Sequence, residues 1–156
     1  MQFVRVTSLR VRNISVTPSV SSTARTMAST TFSRVSFPAP SSTFENEIIQ
    51  FPKPSPGDGQ ILIKNKAFAI NPADFKRIAY NMMVNQWPTS GGFETSGVIE
   101  AIGKGVTHVK EGDDVLSLAA GSGDPSFAFQ EYSLVGAVNA ALKPKSLSYE
   151  EAASLP

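Results

Sequence analysis

The stretch Gly91–Val106 reads GGFETSGVIEAIGKGV and holds five glycines in sixteen residues. Glycine at that density suits phosphate chemistry. In the pattern G-x-G-x-x-G the glycines allow a tight turn, and the N–H groups of a following helix meet the pyrophosphate. Gly103-Lys104-Gly105-Val106-Thr107-His108 approaches this pattern and follows a plausible strand, Val98–Ile102. His108 stands where the third glycine is needed. The next residues, VTHVKEGDDVLSL, alternate with a period near two and break at Glu111-Gly112-Asp113, so no helix is expected there. Gly121-Ser122-Gly123-Asp124-Pro125-Ser126 departs further, because Pro125 and FAFQEY read as another strand. The glycines therefore read as turns and bulges between short strands.

Other chemistries are bounded by composition. The 156 residues contain no cysteine, which excludes thiol catalysis, disulfides and cysteine-bound metal within this chain. His108 is the single histidine. It sits in an alternating pattern with no G-x-S-x-G elbow in the chain, and it reads as a surface or rim residue. No clustered carboxylates suggest a metal site. A net charge of +1 points to neither nucleic acid nor an anionic membrane as partner. No apolar run approaches the ~18 residues that cross a bilayer.

The elements that must position any site start late in the chain. The first 44 residues hold five arginines, no lysine and no acid before Glu45, among many serines and threonines. That is the composition of a mitochondrial transit peptide, with a disordered tail as the alternative. Met27 begins MAST, a second possible start that would leave a cytoplasmic form. Residues 1–44 are thus expected to be a disordered leader and 45–156 a single domain. ILIKNKAFAI (Ile61–Ile70) reads as a strand. NPADFKRIAY begins a helix: Asn71 is an N-cap, Pro72 suits the first helical position, and Asp74 completes a capping box. Ile70 and Phe75 sit at staple positions. Short strands follow at Val98–Ile102, Val106–Val109, Val115–Leu118, Phe127–Val135 and Ala140–Lys143. Ser148-Tyr149-Glu150-Glu151 is a second capping box, opening a helix expected to be cut short at Pro156. The class is mainly β, a small barrel or sandwich.

The order ILIK, NPADFK, GGFETSG, GVIEAIGKGV, EGDDVL, FQEY and LKPKSLSYEEAASLP resembles the N-terminal GroES-like domain of the medium-chain dehydrogenase/reductase superfamily, over about residues 48–156. The resemblance implies a partly open β-barrel with a short helix after the Asn71-Pro72 cap. Gly92, Gly97 and Gly103 fall on the family's barrel-shaping glycines. Zinc dehydrogenases of the superfamily carry cysteine and histidine where Asn71 and Phe93 stand here. Glu94 keeps their acidic residue. The N-P-x-D segment is typical of the zinc-free branch, the quinone oxidoreductases and enoyl reductases, and the tail looks most like trans-enoyl reductases.

The resemblance further implies NADPH as cofactor and an acyl-thioester or quinone substrate. It places Asn71, Asp74 and Lys76 beside the nicotinamide ribose and phosphates, and Tyr80 nearest the family's proton-donating tyrosine, two residues early. The nucleotide-binding domain and the homodimer interface of such enzymes lie beyond this stretch, so the chain alone is expected to be inactive. A co-chaperonin with the same barrel, or a non-catalytic interaction module, is the alternative.

Overall fold

A computed structural model describes residues 2–5, 30–119 and 127–156. Eight strands are present among them: β1 (Gln2–Arg5), β2 (Thr31–Ser36), β3 (Glu47–Pro52), β4 (Gln60–Ile70), β5 (Glu94–Ile102), β6 (Asp114–Leu118), β7 (Tyr132–Gly136) and β8 (Ala140–Leu142). Helix α1 (Pro72–Ala79) follows β4, and α2 (Tyr149–Ala152) closes the chain. The fold is mainly β, as the sequence implies. The main sheet runs β1-β4-β5-β6-β8 and stays open rather than closing into a barrel.

The organising element is β4. Ile61, Leu62 and Ile63 are all buried, so both faces of this strand are covered. One edge pairs antiparallel with β5 from Ile61↔Ile102 to Ala69↔Glu94. The other edge is shared. Gln60–Lys64 pair with β7, and Ala67–Ile70 pair with β1. The division falls where the β4–β5 register shifts between Asn65 and Ala67, a bulge that bends the strand. Asn65 pins the bend: its Nδ2 donates to the Gln130 carbonyl at 2.9 Å and to Ser133 Oγ at 2.8 Å.

The glycines of the opening motif have two distinct jobs here. A Cβ on Gly97 would lie 2.2 Å from the Lys64 carbonyl oxygen, so glycine lets β5 close onto β4 at the bend. A Cβ on Gly103 would lie 1.7 Å from the Gly57 carbonyl oxygen. Gly105 instead has φ +83 with open space around it, a turn position.

Two buried clusters result. Ile61, Ile63, Ile99, Val109, Val115 and Val135 centre the larger. Phe37, Ile78 and Phe129 centre the smaller, beneath α1. Burying each large aliphatic contributes ~1.5–3 kcal/mol.

Three expectations are corrected. The ordered fold reaches back to residue 30, inside the stretch read as a disordered leader. β2 pairs with β3 and contacts Phe129 and Glu131 through backbone hydrogen bonds, and Phe32 and Phe37 are buried. The basic, acid-free composition masked the alternation in TFSRVSF. β1 also lies in that stretch, paired to β4. The remainder of the leader, residues 6–29, lies outside the described residues, as does the second glycine pattern at 121–126. Second, Val106–Val109 is not a strand: the chain turns there, although Val109 is buried in the larger cluster. Third, the strand expected from Phe127 begins only at Tyr132.

Candidate active site

Helix α1 begins as its sequence dictates. Asn71 is extended (φ −112, ψ 158), Pro72 occupies the first turn, and Asn71 and Asp74 form the capping box. The Asn71 backbone N–H donates to Asp74 Oδ2 at 2.7 Å. Asp74 Oδ1 accepts the Gly92 N–H at 3.0 Å. The helix start is thereby tied to the turn that leads into β5. Gly92 has φ +89, and a Cβ there would meet Phe129 at 2.6 Å, so only glycine fits between the helix and the smaller cluster.

Arg77, one turn on, makes a second tie. Its guanidinium donates to the Ser90 carbonyl at 2.7 Å and to Thr89 Oγ1 at 3.2 Å, and it lies 4.4 Å from the centre of the Phe127 ring. Asp74 is 0 % exposed and Arg77 6 %. Burial pushes the Asp74 carboxyl above its ordinary range; the two N–H groups and Arg77 oppose that, and the Glu94 charge adds to it.

The outcome is that Asn71, at the start of α1, and Glu94, at the start of β5, meet. Asn71 Nδ2 donates to Glu94 Oε2 at 2.7 Å, and both residues are half-buried. On the helix side the Asn71 carbonyl accepts the Asp74 N–H at 3.0 Å. One Nδ2 proton and the second Glu94 oxygen are not used by these contacts.

The structure separates the four residues implied by the resemblance. Asn71 is half-buried at the helix start and bonded to Glu94. Asp74 is beneath it, with both oxygens bound to backbone N–H groups, so it holds the turn in place. Lys76 is exposed on the last turn of α1, where its charge also favours the helix C-terminus. Tyr80 is the C-cap, roughly 13 Å along the helix axis from Asn71. It is 65 % exposed, with its ring edge-on to Phe75 at 5.7 Å. Phe75, on the same helix face as Asn71, stands 5.3 Å from Phe44. His108 is exposed and its Nε2 lies 3.0 Å from the Ala137 carbonyl oxygen, a rim position as expected.

Residues 57–145 match the alcohol dehydrogenase GroES-like domain. The chain belongs to that family. It is 40% identical over 104 residues to a trans-enoyl reductase of Fusarium mangiferae, covering 67% of this chain and 26% of that enzyme. It is 40% identical over 105 residues to the 2-methylene-furan-3-one reductase of Solanum lycopersicum, covering 64% and 27%. Among solved structures, the Escherichia coli quinone oxidoreductase complexed with NADPH superimposes with a TM-score of 0.68 at 27% identity, over 78% of this chain and 36% of that one. The GroES-like chain thus spans about a quarter of the length of the two reductases.

Sequence reasoning missed Arg77, whose burial depends on the Thr89-Ser90 turn folding back over α1. It also gave Glu94 no partner. The signal for that pairing was available only through the β4–β5 register, which sets Glu94 opposite Ala69, two residues before Asn71.

Proposed function

We propose that this GroES-like chain is the substrate-side domain of a zinc-independent, NADPH-dependent oxidoreductase of the enoyl-thioester or quinone type. The observation that carries this reading is the Asn71–Glu94 hydrogen bond. Where the zinc enzymes of the superfamily carry metal ligands, this chain has an amide bound to the Glu94 carboxylate. The site is built for hydrogen bonding to a neutral ligand. Among the described residues no group of three or more His, Cys, Asp or Glu side chains is placed to hold a metal ion.

The residues present fit one end of a nicotinamide cofactor. The unused Asn71 proton and Glu94 oxygen suit a sugar hydroxyl, which both donates and accepts. Lys76 offers an exposed charge on the same helix for a phosphate. The Gly103–Gly105 turn has no helix after it, so it forms no pyrophosphate cradle. Bound NADPH supplies a hydride. Asn71 and Glu94 orient the ligand, and Phe75 with Phe44 provides an apolar wall beside it. For an enoyl thioester that hydride would go to the β-carbon, leaving the α-carbon to take up a proton. Tyr80 would hold the proton for that carbon.

In this reading the chain alone binds NADPH weakly and does not turn over, because remote contacts position a reacting ring. The test joins it to the nucleotide-binding domain of the Fusarium relative and follows loss of reduced nicotinamide with an enoyl thioester and with a quinone. Multiple turnover by the unfused chain, or none by a folded fusion with either substrate, would overturn the proposal. We also place the protein in mitochondria, on the arginine-bearing, acid-free N-terminus. A fluorescent fusion that stays cytosolic with Met1 as its start would refute this.

A further inference from the structure

The geometry points to Glu94 as a positioning residue that locks the Asn71 side chain in one orientation, so that the pair shows a hydroxyl-bearing ligand one N–H donor beside one carboxylate acceptor. The inference rests on the nicotinamide reading for the identity of the ligand, but its structural part does not.

A half-buried asparagine amide has two orientations, related by exchange of its oxygen and nitrogen. Here the Glu94 side assigns the orientation. At the start of α1 it is the Asn71 backbone that is tied down, its N–H to Asp74 Oδ2 and its carbonyl to the Asp74 N–H at 3.0 Å. On the other side Nδ2 donates to Glu94 Oε2 at 2.7 Å, a charge-assisted bond of the stronger kind. A flipped amide would turn its oxygen toward the carboxylate, which sets acceptor against acceptor. Glu94 is itself held: its backbone pairs with Ala69 on one side and Leu118 on the other. The preceding turn is fastened by the Gly92–Asp74 bond and by Arg77 on Ser90.

What the locked pair presents follows from valence. Nδ2 keeps one proton and Glu94 keeps Oε1. A hydroxyl placed between them accepts from the first and donates to the second. A phosphate or carboxylate oxygen has no proton for Oε1 and meets its charge. The pair therefore selects a neutral hydroxyl, as on a ribose, over an anion. That divides labour along α1: the sugar belongs at Asn71 and Glu94, and anionic groups belong toward Lys76.

The test uses the full chain labelled with nitrogen-15, with reduced nicotinamide mononucleotide as the sugar-bearing probe and free nicotinamide as the sugarless one. In the parent chain the two Asn71 Nδ2 protons should be well separated, with the Glu94-bound one downfield. In Glu94→Ala and Glu94→Gln that separation should shrink, while the backbone spectrum and melting temperature report an intact fold. Mononucleotide binding should shift the Asn71 signal and weaken about tenfold or more in Glu94→Ala. Binding of free nicotinamide should be unchanged. An Asn71 signal that does not respond to either substitution overturns the inference. So does mononucleotide binding of equal strength in the parent and Glu94→Ala, and that result leaves the oxidoreductase reading standing. Loss of the separation in both variants, with no mononucleotide binding by the parent, supports the lock and overturns the nicotinamide reading instead.

Discussion

Asp74 Oδ1 accepts the Gly92 N–H at 3.0 Å, a single bond that joins the first turn of α1 to the glycine turn entering β5. Through it, the N-cap Asn71 and its partner Glu94 are held in one frame although 23 residues separate them in sequence.

Asp74→Asn should therefore destabilise the fold by about 1–3 kcal/mol, because one of two buried N–H groups loses its acceptor and faces an NH2. Chemical denaturation of the purified chain measures this. The pH dependence has a definite sign. Burial raises the folded carboxyl above its ordinary 3.8, so the native state binds the proton more readily than the unfolded one. The stability from this group is fully present below 3.8 and is lost as pH rises through the raised folded value. That component should vanish in Asp74→Asn.

Gly97→Ala should cost about 3 kcal/mol or more, because its Cβ would lie 2.2 Å from the Lys64 carbonyl oxygen and two paired strands would have to part. Gly105→Ala is the contrasting case. It has φ +83 but open surroundings, so only backbone strain of about 1–2 kcal/mol is expected. Paired thermal melts of the two variants distinguish steric closure from turn conformation.

Tyr149 ties α2 to the sheet. Its hydroxyl donates to Asp114, and Ser96 Oγ donates to its carbonyl. Burial, then the adjacent Asp114 carboxylate, pushes the phenol from 10.0 up to about 12. The stabilisation is fully present below pH 10 and is lost as pH rises toward 12. Tyr149→Phe should lower stability at neutral pH and abolish that alkaline loss, as read by melting temperature across the range.

In the fused enzyme, Tyr80→Phe should lower kcat by about a hundredfold if the phenol delivers the proton. Asn71→Ala should raise the Michaelis constant for NADPH more than it changes kcat, since it removes a positioning contact. Steady-state kinetics on the two variants separates proton delivery from ligand orientation. An unchanged kcat in Tyr80→Phe would remove Tyr80 from the chemistry.

The strands that carry alternating apolar residues were legible in the sequence, as were both helix starts, because capping is local chemistry. β1, β2 and β3 were not: β1 and β2 lie in a stretch whose composition matches a targeting leader, and β3 is defined by its pairing with β2. Val106–Val109 alternates like a strand, yet the turns around Gly105 and Gly112 take it out of the ladder while Val109 still fills the core. At the site, Asn71 could be named from its cap and family position. Its partner Glu94 and the brace Arg77 depend on strand register and a folded-back turn, which are nonlocal. The burial of Asp74 is nonlocal for the same reason.

Phe68 lies on β4 beyond the bend and packs against both buried clusters, and its ring is 4.9 Å from that of Phe129. The two clusters therefore share a keystone. Loosening the layer beneath α1 exposes a ring that the main sheet also needs, so local opening at one end is opposed by the whole. The site should therefore ride on a body that melts in one transition, and Phe68→Ala should split that transition into two.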